Sequence, residues 1–133
     1  MTNGAKSPQD IQQRTFVFGV RVVKMVDRMP RTLASEVLAR QLVRAGLSIG
    51  ANMQEADGAE TKKDFIHKVS VAYKEARESR HWLAIIRETI IENDPEIEFL
   101  WKESDQIVRI LFVILRKSRV SLKRPAHTQT VRS

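Results

Sequence analysis

Three short breaks divide this chain into long stretches with the periodicity of α-helices. The breaks fall at Pro30, at Gly58 and at the run from Asn93 to Pro95. Proline disfavours helical backbone at the residue before it, and an Asp-Pro pair stops one helix and starts the next. Helices joined by short connections pack antiparallel. The breaks therefore predict an all-α fold, an antiparallel up-down-up-down four-helix bundle.

Capping residues give the expected ends of the four helices. The predicted bounds are Pro8, after a cap at Ser7, to about Met29; near Thr32 to about Ala56; from the capping-box-like Thr61-Lys62-Lys63-Asp64 to about Ile91; and Pro95, capped by Asp94, to about Ser118. We therefore expect a bundle over residues 1–118 and a basic, disordered tail over residues 119–133.

Composition removes several classes of functional site. The 133 residues include no cysteine, which excludes disulfide frameworks, thiol nucleophiles and cysteine-based metal sites. Residues 1–10 are polar and lack the apolar stretch of a signal peptide, and the most apolar segment, Ile107–Leu115, is too short to cross a bilayer. We predict a cytoplasmic protein that does not contact membranes.

The predicted helices carry more apolar surface than one bundle core uses. On helix one, Phe16, Val20 and Val23 lie about 200° from a second apolar side. The second apolar side of helix one consists of Phe18, Val22, Met25 and Met29. On helix two, Val43 and Leu47 lie opposite the core stripe of Leu38, Leu42, Ala45, Ile49 and Met53, and on helix four residues 110–115 are all apolar. A homo-oligomer or a docked partner would cover the surplus, whereas bundle irregularity would hide it within one subunit.

A polar stripe adjoins the predicted core on helices two and three. Its members are Gln41, Arg44, Ser48, Asn52 and Glu55 on helix two, with Glu75 and Glu78 on helix three. Polar groups next to a core require partners, so we expect Arg44 to bridge Glu55, Glu75 or Glu78, with Gln41 and Asn52 completing the network. We interpret the stripe as structural. The alternative is an acid–base or ligand site.

Recognisable catalytic motifs are absent from the sequence. It has no Gly-rich phosphate loop and no nucleophile or metalloprotease motif. Glu78 and His81 have the Glu-x-x-His spacing of di-iron bundles, but no second such motif exists. We expect no catalytic residue, no metal site and no cofactor, and therefore predict a protein that is not an enzyme.

The net charge of +7 resides at one end of the chain. Residues 1–105 carry equal numbers of basic and acidic residues, whereas residues 106–133 carry seven basic residues and no acid. In an antiparallel bundle, this end lies near the start of helix one and the turn between helices two and three. The expected nucleic-acid-binding residues are Lys6, Arg14, Lys62, Lys63, Arg116, Lys117, Arg119, Lys123 and Arg124. The alternative is that the charge serves only solubility.

The run from Gln41 to Ala56 resembles the central motif of the four-helix bundle proteins, also called intervening-sequence proteins of large-subunit ribosomal RNA genes. Their pattern is approximately Gln-Leu-x-Arg-Ala-x-x-Ser-Ile-x-x-Asn-x-x-Glu-Gly, and here Ala56 replaces the final glycine. The segment from Lys63 to Leu83 resembles one branch of this family. The likeness covers roughly residues 16–91 and excludes the tail after Arg116.

This resemblance implies an up-and-down bundle, commonly a homopentamer, without known enzymatic activity. Relatives include retroelement accessory proteins that associate with a reverse transcriptase and nucleic acid. Together with the charge pattern, it predicts a nucleic-acid-binding accessory protein, with RNA favoured, that acts as a homo-oligomeric scaffold, either alone or beside a reverse transcriptase. The main alternative is a protein-interaction scaffold with no direct nucleic-acid role.

Overall fold

A computed structural model describes residues 8–123, with side chains from Ile11 onward, and these residues form four α-helices. The helices are α1 (Pro8–Val26), α2 (Leu33–Asp57), α3 (Lys62–Thr89) and α4 (Pro95–Lys123). No strand occurs within this range. The predicted all-α, four-helix class is confirmed.

Side-chain caps begin three of the helices where the sequence predicts them. The hydroxyl of Thr32 accepts from the backbone N–H of Ser35 at 3.2 Å, and that of Thr61 accepts from Asp64 at 3.0 Å. Before α4, Asp94 Oδ1 accepts from the N–H of Glu96 at 2.8 Å. These oxygens satisfy backbone donors that a helix start leaves unpaired. The proposed cap at Ser7 lies outside the described residues.

Each helix packs against its neighbours in sequence, and α1 also contacts α4, which closes the bundle. Cross-helix bonds give the relative directions. Arg14 pairs with Glu103 and Arg21 with Glu96, so numbering rises along α1 as it falls along α4. The other neighbouring helices pair in the same antiparallel sense, for example Arg44 with Glu78 and Lys68 with Glu55.

The bundle core holds the apolar faces that the helical periodicity predicts. Fully buried members include Phe18, Val22 and Met25 of α1; Leu42, Ile49 and Met53 of α2; Leu83 and Ile86 of α3; and Ile97, Leu100, Ile107 and Leu111 of α4. The helices α1 and α2 approach each other closely at glycines. A Cβ added to Gly50 would lie 3.2 Å from the Thr15 carbonyl oxygen, so a side chain there would push the two backbones apart.

Three helix ends differ from the predicted positions. The first helix ends at Val26 and α3 ends at Thr89, each a little earlier than expected. The fourth helix instead continues past Ser118 to Lys123, so residues 119–123 are helical rather than part of a disordered tail. Residues 119–123 contain no proline or glycine, and without a helix breaker the backbone continues to exchange i to i−4 hydrogen bonds. Residues 124–133 lie outside the described part.

Candidate nucleic-acid interface

Six of the predicted nucleic-acid-binding residues are exposed basic side chains at one end of the bundle. They are Lys62 and Lys63 at the start of α3, and Arg116, Lys117, Arg119 and Lys123 in the last turns of α4. We call these six residues the cationic end. Within residues 11–123, none of the six forms an ion pair with a carboxylate. Their charge is therefore available to an external anion.

The antiparallel register of α3 and α4 brings the members of the cationic end together. Three contacts share this register: Arg87 with Glu98 at 3.7 Å, Arg80 with Asp105 at 2.7 Å, and Tyr73 with Phe112, whose ring centroids are 6.3 Å apart. Each step of seven residues back along α3 matches seven residues forward along α4. Continued to the end of α4, this register places Lys123 level with Lys62.

Three other predicted members do not extend the cationic end. Lys6 and Arg124 lie outside the described residues. Arg14 donates two hydrogen bonds to Glu103, from Nε at 2.9 Å and from Nη2 at 2.8 Å. This bidentate contact commits the Arg14 guanidinium to holding α1 against α4. The position of Arg14 near the chain start suggests a place in the cationic end, but its acidic partner is on another helix and is not visible from local sequence.

Negative charge also lies at the end of α2, in the following connection and at the start of α3. Asp57, Glu60 and Asp64 lie beside Lys62 and Lys63 and are exposed. They lower the net positive charge at the start of α3. The end of α4, with no acidic residue after Asp105, is consequently the stronger part of the cationic end.

At the opposite end of the bundle, charges are paired. Arg21 donates two hydrogen bonds to Glu96, at 2.7 and 2.9 Å, and Arg28 pairs with Asp94 at 3.4 Å. The hydrogen bond from Arg21 lowers the pKa of Glu96 against the opposing effect of partial burial. Partial burial would raise the pKa of Asp94, but the N–H groups of Glu96 and Ile97 and the Arg28 guanidinium together lower it. The carboxylates of Asp94 and Glu96 at this end are therefore neutralised by arginines.

The largest interhelical contact group in the predicted polar stripe is centred on Arg44. Arg44 Nη2 donates to Glu78 at 2.6 Å and to Gln41 at 3.2 Å, while Nη1 donates to Glu75 at 3.4 Å. The bond to Glu78 is the main cause of a raised pKa for Arg44. Gln41, Arg44, Glu75 and Glu78 thus hold α2 against α3.

The other members of the stripe do not join this group. Ser48 and Asn52 bond to carbonyl oxygens one turn back on their own helix, at 2.7 and 2.8 Å, and Glu55 pairs with Lys68 at 2.5 Å. Asn52 therefore does not complete the network as expected. A polar side chain in mid-helix finds its nearest acceptor in its own backbone, and this competes with a cross-helix bond.

The described residues show few features of other kinds of site. Among residues 11–123, no three acidic or histidine side chains are grouped closely enough to hold a metal ion. The described helices include none with the length and apolar character needed to cross a membrane. A shallow cavity on α3, lined by Arg77, Glu78, His81 and Trp101 among others, is open to solvent.

The surplus apolar surface remains exposed in this single chain. Phe16 is 66% exposed, Val23 47% and Leu47 43%, and these residues border a shallow groove between α1 and α2. We call Phe16, Val20, Val23 and Leu47 the α1–α2 apolar face. Phe16, Val20 and Val23 lie on the side of α1 opposite the buried Phe18 and Val22. A free subunit would therefore present a contiguous apolar surface to water.

Sequence reasoning missed an aromatic group within basic surroundings on α3 and α4. The Arg77 guanidinium lies over the Tyr73 ring, 5.7 Å from its centroid, and Tyr73 contacts Phe112. Asp105 also accepts from both Arg80 and Arg109, at 2.7 and 3.0 Å. The i,i+4 spacing of Asp105 and Arg109 indicates their pairing, but the cross-helix contacts depend on a register that the sequence does not show.

Comparisons with known proteins place this bundle in a family. A family model described as 23S rRNA-intervening sequence protein matches residues 8–113. The chain belongs to this family. The 23S rRNA-intervening sequence protein match covers α1, α2, α3 and most of α4, and it stops before Arg116. The resemblance stated from the sequence is thereby confirmed.

A solved structure supports the same assignment. It is a crystal structure of a protein with unknown function from the S23 ribosomal protein family of Bacteroides thetaiotaomicron. The two chains share 30% sequence identity with a TM-score of 0.75, and the match covers 82% of this chain and 97% of that one. A comparison with curated proteins found no match.

Proposed function

We propose that this member of the 23S rRNA-intervening sequence protein family is a non-enzymatic, cytoplasmic accessory protein that binds nucleic acid, preferably RNA, and acts as a homo-oligomeric scaffold. The observation that carries the proposal is the cationic end. Six exposed basic side chains lack a carboxylate partner among the described residues, while the acids at the opposite end of α4 have arginine partners. The family's name links it to ribosomal RNA.

Binding through the cationic end is directed mainly at phosphates. Exposed lysine and arginine side chains reach the phosphate oxygens of a nucleic acid and release the counterions condensed around its backbone. If about six cations per subunit engage single-stranded RNA, log affinity falls against log salt concentration with a slope of about −4. Fluorescence anisotropy of a labelled RNA at several salt concentrations measures this slope.

Neutralising Arg116, Lys117, Arg119 and Lys123 to glutamine tests whether the cationic end is the binding surface. We expect the slope to become shallower by about 3, because each lost phosphate contact removes about 0.7 from it. The matched control neutralises four exposed basic residues away from the cationic end, Lys24, Arg31, Arg40 and Lys102. A salt-independent affinity, or equal losses in the two variants, contradicts the proposal.

The homo-oligomeric part of the proposal is supported by the α1–α2 apolar face. Burying such a surface between copies removes apolar area from water, which stabilises the assembly by about 25 cal/mol for each Å² buried. The pentamer implied by the family resemblance is the expected assembly. In sedimentation velocity we expect one species larger than a subunit, and Phe16→Glu should dissociate it. Phe16→Leu is the matched control. A wild-type monomer would contradict the scaffold.

A protein-interaction scaffold is the second candidate, and the same apolar face favours it. In that case the face receives another protein, such as a reverse transcriptase, and RNA contact is incidental. A pull-down with and without nuclease treatment separates the two functions. A partner retained after nuclease treatment supports the second candidate, and a partner lost with the RNA supports the first.

A further inference from the structure

The surface where α3 and α4 meet beside the cationic end carries two aromatic rings in contact. The rings of Tyr73 and Phe112 are 6.3 Å apart, and Phe112 is 49% exposed. The Arg77 guanidinium covers part of the Tyr73 ring. We call Tyr73, Phe112 and Arg77 the aromatic platform. An exposed phenylalanine ring held by a second ring is a rigid apolar plane at the protein surface.

Basic side chains surround this platform on the α4 side. At 100° per residue, Arg109, Arg116 and Lys123 lie with Phe112 within an arc of about 60° on α4. Arg109 is held in place through its hydrogen bond to Asp105, and Arg116 and Lys123 have no carboxylate partner within residues 11–123. An aromatic side chain therefore sits inside a row of positive charges that runs toward the end of the helix.

Acidic residues are absent from this side of α3. Between Lys62 and Arg77 the helix carries two acids, Asp64 and Glu75. At 100° per residue they lie about 160° or more around the helix from Tyr73. Glu75 accordingly contacts Arg44 on the opposite neighbour, α2. On α4 the nearest acid on this side is Asp105, seven residues before Phe112, and it is paired with Arg80 and Arg109. With that acid neutralised, the platform is electrostatically complementary to a polyanion that also carries flat, apolar groups.

We infer that Phe112 and Tyr73 stack unpaired bases of a single-stranded nucleic acid whose phosphates contact Arg109, Arg116 and Lys123. This inference rests on the proposed function and adds to it a preference for single strands. Phosphate contacts do not distinguish paired from unpaired strands, whereas an aromatic ring on a surface requires a splayed base. Stacking tolerates any base because every base has a π-face.

The test compares two probes that have the same backbone charge. One is a labelled oligouridylate of about twelve nucleotides, and the other is an abasic ribose-phosphate chain of equal length. We expect the wild-type protein to bind oligouridylate at least about fivefold more tightly. Phe112→Leu keeps an apolar side chain but removes the ring, and it should abolish this preference while leaving the affinity for the abasic chain unchanged.

Phe99→Leu is the matched control because Phe99 is also a partly exposed phenylalanine of α4. It lies near the other end of the helix, where Arg21 covers its ring at 3.6 Å. This variant should keep the wild-type preference. If the wild type and Phe112→Leu each bind oligouridylate and the abasic chain with the same affinity, base stacking is refuted while phosphate binding stands.

Three other outcomes bear on this inference and on the proposed function. If neither probe binds, the proposed function fails and the inference fails with it. If Phe112→Leu changes the sedimentation coefficient, the platform is a contact between copies of the chain, and the inference is overturned even when RNA binding persists. Duplex RNA bound as tightly as oligouridylate would also overturn it.

Discussion

The two halves of α4 use charge in opposite ways. Residues 95–105 carry four acidic side chains, and each forms an ion pair with an arginine of α1 or α3. Residues 106–123 carry five basic side chains and no acid, and only Arg109 has a carboxylate partner in the described part of the chain. One half thus joins three helices, while the other presents positive charge outward.

This contrast separates structural charge from charge available for binding. The paired arginines of α1 and α3 meet carboxylates at 2.7 to 3.7 Å, so their charges are compensated inside the bundle. The basic residues at the end of α4 have no such compensation and repel one another. A helix that served only to fold the bundle would have no need to collect like charges at one end.

The largest expected effect is on stability, and it shows whether core packing fixes the two halves of α4 to the same extent. Leu100 and Leu111 are both fully buried, one in each half. We expect Leu100→Ala and Leu111→Ala each to lower the free energy of unfolding by about 2–5 kcal/mol, because each leaves a cavity in a packed interior. Urea denaturation measures both variants. A loss below about 1 kcal/mol for Leu111→Ala would mean that the second half is not fixed by the core.

A smaller effect distinguishes the charges of the two halves. The Arg14 and Glu103 side chains are only 25% and 16% exposed and form a bidentate contact. We expect Glu103→Gln to lower the free energy of unfolding by about 1–2 kcal/mol, because a partly buried, charge-assisted pair is lost. Arg116→Gln should change it by less than about 0.5 kcal/mol. Equal losses in urea denaturation would remove the distinction between the halves.

Most of the fold follows from local features of the sequence. Thr32, Thr61 and Asp94 cap helices at the expected positions because capping depends only on residues within one turn. Helical periodicity likewise separates the two apolar sides of α1, but only the packed bundle shows that the side of Phe18 and Val22 is the buried one. The end of α4 was placed too early, since basic composition alone does not stop a helix.

The candidate site was harder to predict because it depends on pairing between helices. Arg14 and Lys117 are both basic residues, yet Arg14 faces Glu103 across the α1–α4 contact and Lys117 faces solvent. This difference arises from the alignment of residues between neighbouring helices, which is established only when the helices pack. The contact between Tyr73 and Phe112 likewise requires the α3–α4 register, and no spacing within either helix indicates it.

The smallest expected effect is a pH dependence confined to the first half of α4. The Arg21 hydrogen bond lowers the pKa of Glu96 below its ordinary value. Folding then favours the ionised carboxylate. This contribution to stability is present above the unfolded pKa, near 4.3, and is lost as pH falls through the lower folded pKa. Because Glu96 is partly exposed, the loss is a fraction of a kcal/mol.

Urea denaturation between about pH 3 and pH 6 measures this effect. Glu96→Gln should lose less stability on acidification than the wild type, because glutamine takes up no proton. Arg116→Gln, in the second half, should follow the wild-type curve. No acidic residue occurs in the chain after Asp105, so this half of α4 holds no carboxylate whose pKa Arg116 could lower. If Arg116→Gln flattened the acid dependence as much as Glu96→Gln, the end of α4 would be coupled to a carboxylate, and its charge would not be free for RNA.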